Sequence, residues 1–133
     1  MQLNPYLFFS GNCEEALTFY SKVFDGKIVG VNRYEGSPME SRVPADFKTK
    51  IMHASFEADG LSFMAADRSH DGHSGGSRIA LSVATKDGAA GERVFNELAT
   101  GGTVTMALGE VFWGGRFGSV TDRYGIDWMV SCF

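Results

Sequence analysis

Two cysteines, three histidines and three prolines are all that the 133 residues hold of those types, and the scarcity excludes several designs. Cys13 and Cys132 match no CxxC or zinc-finger spacing, so neither a disulfide framework nor a structural zinc module is expected. Both read as reduced thiols packed like small hydrophobes. No apolar run is long enough to cross a bilayer, and Met1-Gln-Leu-Asn-Pro5 shows no basic segment leading into an apolar one. The net charge of −4 contains no block of like charge. Nucleic acid and anionic membranes are therefore not expected partners, and the cytoplasm is the expected location. There is no Gly-x-Ser-x-Gly elbow and no GxGxxG run after a strand, which removes the usual signs of a serine hydrolase and of a dinucleotide or S-adenosylmethionine fold.

What is present is a globular composition, 44% hydrophobic and 21% charged, in a length suited to one domain. Two helices stand out. The first follows Asn12, an N-cap type with Glu15 at capping-box spacing. It carries Ala16, Leu17, Phe19, Tyr20, Val23 and Phe24 at helical intervals, with Gly26 as its stop. The second starts at the N-cap Asp87, buries Ala90, Val94, Phe95 and Leu98, and stops at Gly101-Gly102. An apolar strand precedes each, over 5–9 and 78–83, and another follows, over 27–34 and 103–108. A hairpin closes each half. One pairs 51–57 with 61–66 through a type I′ turn at Asp59-Gly60, and the other pairs about 117–121 with 126–131. The order is strand–helix–strand–strand–strand, twice. We read an α+β fold of two tandem βαβββ modules with curled mixed sheets, spanning 1–133 as one domain. Module one covers about 1–67, a Gly/Ser-rich connector 68–77, and module two about 78–133.

Alternation separates the faces of the first hairpin. Met52, Ala54, Phe56, Leu61, Phe63 and Ala65 form an apolar face suited to a covering helix. Ile51, His53, Ser55, Glu57, Ser62, Met64 and Ala66 share the other, with His53 across from Ala66 and beside Met64. A mixed polar and apolar face of that kind suits a small-molecule site.

Gly11-Asn-Cys-Glu-Glu-Ala-Leu-Thr-Phe-Tyr20, Lys50-Ile-Met-His-Ala54, Phe112-Trp113, Phe117-Gly-Ser-Val-Thr-Asp122 and Trp128-Met-Val130 resemble the PhnB-like branch of the vicinal-oxygen-chelate superfamily. That superfamily includes the glyoxalase, bleomycin-resistance and dioxygenase proteins. Members of the branch often carry the label 3-demethylubiquinone-9 3-methyltransferase-like. The resemblance spans nearly the whole chain. It implies paired βαβββ modules enclosing cavities, commonly in a homodimer. It also implies four metal-ligand places on the first and last strands of the modules. These fall at Pro5, Met64, Arg78 and Met129, none of which suits the divalent ions the superfamily uses. No metal and no cofactor are expected.

His53 is the candidate catalytic residue, since imidazole titrates near neutral pH and its strand aims it at the cavity. Tyr6, Phe8, Met64, Asp67, Phe112, Trp113, Arg116 and Trp128 are the expected pocket residues, aromatic walls with one guanidinium suiting a planar or anionic molecule. Asp67 would orient His53 or a ligand. His70 and His73 lie on the connector, where a metal role is not expected. The leading expectation is a metal-independent binder of a small molecule, or an enzyme of unidentified reaction. The alternative is metal-dependent glyoxalase- or dioxygenase-like chemistry, and a third reading is a dimerisation partner. Methyl transfer is not expected.

Overall fold

The first strand, β1 (Tyr6–Phe9), opens a computed structural model that describes residues 4–68, 79–111 and 114–132. The remaining elements are α1 (Cys13–Phe24), β2 (Lys27–Arg33), β3 (Ile51–Ala58), β4 (Leu61–Asp67), β5 (Leu81–Thr85), α2 (Gly88–Ala99), β6 (Thr103–Glu110), β7 (Arg116–Thr121) and β8 (Asp127–Cys132). Two short 3-10 turns, Glu40–Arg42 and Ala45–Phe47, break the loop between β2 and β3. The chain divides into two compact units, Met1–His73 and Ser74–Phe133. Of the expected connector, only Arg68 lies among the described residues.

In the first unit the sheet order is β1-β4-β3-β2. β1 runs parallel to β4 and the other pairs are antiparallel, so the sheet is mixed as expected. α1 covers one face because Ala16, Leu17, Tyr20 and Val23 recur at helical spacing, each at most 1% exposed. Tyr20 meets Phe63 edge-on and Phe24 meets Phe56, which identifies Phe56 and Phe63 as the covered side. Alternation then turns Tyr6, Phe8, His53, Ser55 and Met64 to the other side.

Three local expectations differ from the structure. Asn12 makes no side-chain cap; the buried carboxylate of Asp67, at the end of β4, takes that place. At the other end of α1 the left-handed residue is Asp25 (φ 53°), not Gly26. Gly26 is required for room, since a Cβ there would lie 2.7 Å from the Glu57 carbonyl oxygen. In the hairpin only Gly60 has positive φ (81°), so the type I′ turn, which needs two such residues, is not the one adopted.

The second unit repeats the order as β5-β8-β7-β6, again with one parallel pair. α2 is capped as read: the Asp87 carboxylate accepts from the Ala89 and Ala90 amides at 3.0 and 3.2 Å. Gly91, Phe95 and Leu98 are its buried residues. Gly91 packs against the Cys132 sulfur, which puts Cys132, and by alternation Val130 and Trp128, on the covered face. β5 begins three residues later than the apolar run suggested: Ile79 is 74% exposed, and pairing with β8 starts at Leu81 opposite Trp128.

Candidate functional site

Tyr6 and Phe8 alternate with the buried Leu7 and Phe9 along β1, and they are 37% and 41% exposed. Their rings stack at 4.7 Å with 8° between planes. Tyr6 sits opposite Met64 and Phe8 opposite Ala66, so the pair stands on the edge strand beside β4. Across β4, Ala54 pairs with Ala65 and Ser55 with Met64, and the same alternation sets His53 on the side of Ser55 and Met64. The half-buried imidazole meets the Tyr6 ring edge-on at 6.0 Å. His53, Tyr6, Phe8 and Met64 are therefore brought together on one side of one sheet, the side away from α1.

Arg68 completes the group, and the sequence reading did not include it. Its amide donates to the Phe9 carbonyl at 2.7 Å, extending the parallel pair by one residue. Its guanidinium carbon lies 3.5 Å from the centre of the Phe8 ring. A cation over an arene at that distance is a favourable pairing worth about 0.5–2 kcal/mol. Tyr34 lies nearby, with its hydroxyl donating to the Asp67 carbonyl oxygen at 2.7 Å. Burial raises both the Tyr6 and the Tyr34 phenol above the ordinary tyrosine value, while the Arg68 charge pulls each back down. Both phenols are thus neutral donors at physiological pH.

Asp67 has a different place from the one expected. It is 1% exposed, on the α1 side, and its carboxylate accepts from the amides of Gly11, Cys13 and Ile51 at 2.8, 2.9 and 3.0 Å. It fastens the start of α1 and the start of β3 to the end of β4, and does not reach His53. Cys13, fully buried beside it, has its thiol pushed up to about 12, chiefly by burial and then by the Asp67 charge. That thiol is protonated and unreactive at neutral pH.

Two further expectations need correction. Trp128 is 4% exposed on the covered face, with its indole N–H donating to the buried Asp122 carboxylate at 2.8 Å. Arg116 turns toward α2: its guanidinium donates to the Gly88 carbonyl at 3.0 Å and approaches Glu92 at 3.5 Å. Both sit on the α2 side because they share the alternation of Gly118, Val120 and Cys132. Phe112, Trp113, His70, His73 and Arg78 lie outside the described residues.

A groove of about 560 Å³ flanks the start of α1, lined among others by Glu14, Arg33, Lys50 and Asp67. Arg33 and Glu14 pair with each other there at 2.9 Å, and Asp67 already satisfies the helix end. The Glu14, Arg33 and Asp67 charges there are used internally.

The superfamily's metal chemistry can be tested on the donors themselves. The strand register pairs Tyr6 with Met64 in the first unit and Ser82 with Met129 in the second. Pro5 lies just before β1, one residue from the paired position. In the second unit the residue paired with Met129 is thus Ser82, not the expected Arg78, which lies outside the described residues. Neither a phenol with a thioether nor a hydroxyl with a thioether suits the harder divalent ions. Among the described residues, no three His, Cys, Asp or Glu side chains come together to hold an ion. The described residues at these strand positions do not fit the metal.

With the geometry in hand, comparison decides the family: the profile described as 3-demethylubiquinone-9 3-methyltransferase matches residues 1–131. The chain belongs to that family. Protein PA1353 of Pseudomonas aeruginosa, a solved structure, is 40% identical with a TM-score of 0.86, covering 99% of this chain and 97% of its own. The PhnB protein of Bacillus cereus is 27% identical with a TM-score of 0.85, over all of both chains. Protein YjdN of Escherichia coli strain K12 is 30% identical over 139 residues, 98% of this chain and 95% of its own. Solved glyoxalase/bleomycin resistance/dioxygenase proteins, at 12% and 16% identity, align with TM-scores of 0.65 and 0.69, which shows the shared fold alone. The PhnB-like fold gives the methyltransferase label no support. Each sheet is four-stranded with a single parallel pair, unlike the doubly wound parallel sheet that commonly holds S-adenosylmethionine. No helix among the described residues is long and apolar enough to cross a membrane.

Proposed function

We propose that the first unit binds a small molecule on the face carrying Tyr6, Phe8, His53, Met64 and Arg68, and does so without a metal ion. The observation that carries this reading is the stacked Tyr6–Phe8 pair. Two large rings stand out at 37% and 41% exposure on a strand whose alternate residues are buried. Aromatic surface left open beside an imidazole and a guanidinium is the lining of a ligand site rather than of a core. His53 is the group placed to move a proton if the bound molecule reacts. The protein acts in this reading as a cytoplasmic homodimer.

Thermal-shift screening with planar metabolites tests it, because a ligand that binds only the folded state raises the midpoint. The expected result is a hit whose shift is lost in Phe8→Ala and reduced in His53→Ala, with both variants folded. Tightly bound stoichiometric iron, nickel or zinc in purified protein would overturn the metal-free part. If these rings are instead covered by a second copy, the midpoint will follow protein concentration and ignore every metabolite.

A further inference from the structure

We infer that the molecule taken by this face is a planar organic anion, and that Arg68 pairs with its charged group. The inference rests on the small-molecule reading above and adds the ligand's charge and shape. Three donors gather at one end of the sheet: the Arg68 guanidinium, the Tyr6 hydroxyl and the His53 imidazole. Arg68 is exposed, and its guanidinium is held over Phe8 at 3.5 Å. Phe8 stacks in turn on Tyr6, and Tyr6 meets His53. A guanidinium fixed by an aromatic ring has already given up much of its rotamer freedom. Its N–H fork is then ready for bidentate pairing with a carboxylate or similar group.

Among the described residues, nothing near it competes. Among the described residues no carboxylate pairs with Arg68, although Arg33, Lys48, Arg93 and Arg116 each have an acidic partner. The neighbouring carboxylate of Asp67 points to the opposite side of the sheet and is held there by three backbone amides. The acidic side chain sharing the face, Glu57, lies four residues along β3 from His53, about 13 Å away at strand spacing, and sits opposite Lys27. The Tyr6 hydroxyl makes no hydrogen bond to a described residue, so it too is available as a donor. Phe8 lies between Tyr6 and the Arg68 guanidinium, so the aromatic surface left open is largely ring edge, against which a flat ring can lie edge to face. The ligand's charge is favoured because, among the described residues, the groups around those rings donate and none accepts as an ion.

Calorimetric titration of the intact protein with 1-naphthoate and with its neutral counterpart 1-naphthamide separates the possibilities. The two probes share a ring system and differ in charge. We expect naphthoate to bind about tenfold or more tightly than the amide, the scale of one charged hydrogen-bonded pair. That preference should vanish in Arg68→Gln, survive in part in Arg68→Lys, and shrink as salt is raised. Equal affinities in the parent protein, with Phe8→Ala abolishing both, would overturn the anion while leaving the binding face intact. A preference for naphthoate that persists in Arg68→Gln would remove Arg68 from the role. Binding of neither probe would overturn both this inference and the reading beneath it.

Discussion

The two units place different residues at corresponding points of the same fold. Pairing of first and last strands sets Tyr6 and Met64 in the first unit against Ser82 and Met129 in the second. One step further, Phe8 and Ala66 correspond to Ala84 and Ser131, and the final pair, Phe9 and Asp67, corresponds to Thr85 and Cys132. Where the first unit shows a stacked aromatic pair, the second shows a serine and an alanine. Where the first unit has a buried carboxylate fastening its helix, the second has a thiol against Gly91 and a helix capped by its own Asp87. Both helix starts are satisfied, one by a residue from the far strand and one by its immediate neighbour. Moving the cap to Asp87 frees the last position of β8 for packing.

Substitutions at these paired positions should separate the two solutions. The largest effect is expected from Asp67→Ala, which leaves the amides of Gly11, Cys13 and Ile51 buried without partners. At about 1–3 kcal/mol per orphaned donor the loss should reach about 3 kcal/mol or more by urea denaturation. Its counterpart Cys132→Ala should cost only about 1 kcal/mol of packing. If the two cost the same, the asymmetry between the units is not energetic.

Next comes a pH effect confined to the first unit. Burial raises the Cys13 thiol from 9.0 to about 12 in the folded protein. Above pH 9 the unfolded thiol loses its proton while the folded one keeps it. Stability should therefore fall as pH rises from 9 toward 12, by at most about 1.4 kcal/mol per pH unit from this group. Cys13→Ala should flatten that decline in denaturation curves taken between pH 8.5 and pH 10.5. An unchanged slope would show that the thiol is not its source. Smaller still is Asp87→Ala, where loss of a local cap should cost about 1 kcal/mol. Glu14→Gln, which breaks the exposed pair with Arg33, should fall within about 0.5 kcal/mol of the parent.

The duplicated strand–helix–strand–strand–strand order was legible because each element carries its own periodicity. Asp87 was legible as a cap because its acceptor lies two and three residues from its donors. Asp67 was not. Its donors are 16, 54 and 56 residues away, and no local spacing announces them, whereas Asn12 in the expected position looked sufficient. His53 fell on the right face because alternation in a short-turned hairpin fixes it. The same alternation would have put Trp128 in the core, since it shares a face with the apolar Val130 and Cys132 while the other face carries Asp127, Met129 and Ser131. Arg68 shares the alternation of Met64 and Ala66, one residue beyond the strand's end. It was hidden by the Gly/Ser-rich segment that follows it.

Met64 and Met129 occupy matching positions in the two units, so their methyl groups report on the two faces separately. The decisive measurement is a methyl-resolved NMR titration of methionine-labelled protein with 1-naphthoate. The Met64 methyl should shift and saturate, and the Met129 methyl should stay where it is. A saturating shift at Met129 with Met64 unmoved would contradict the account.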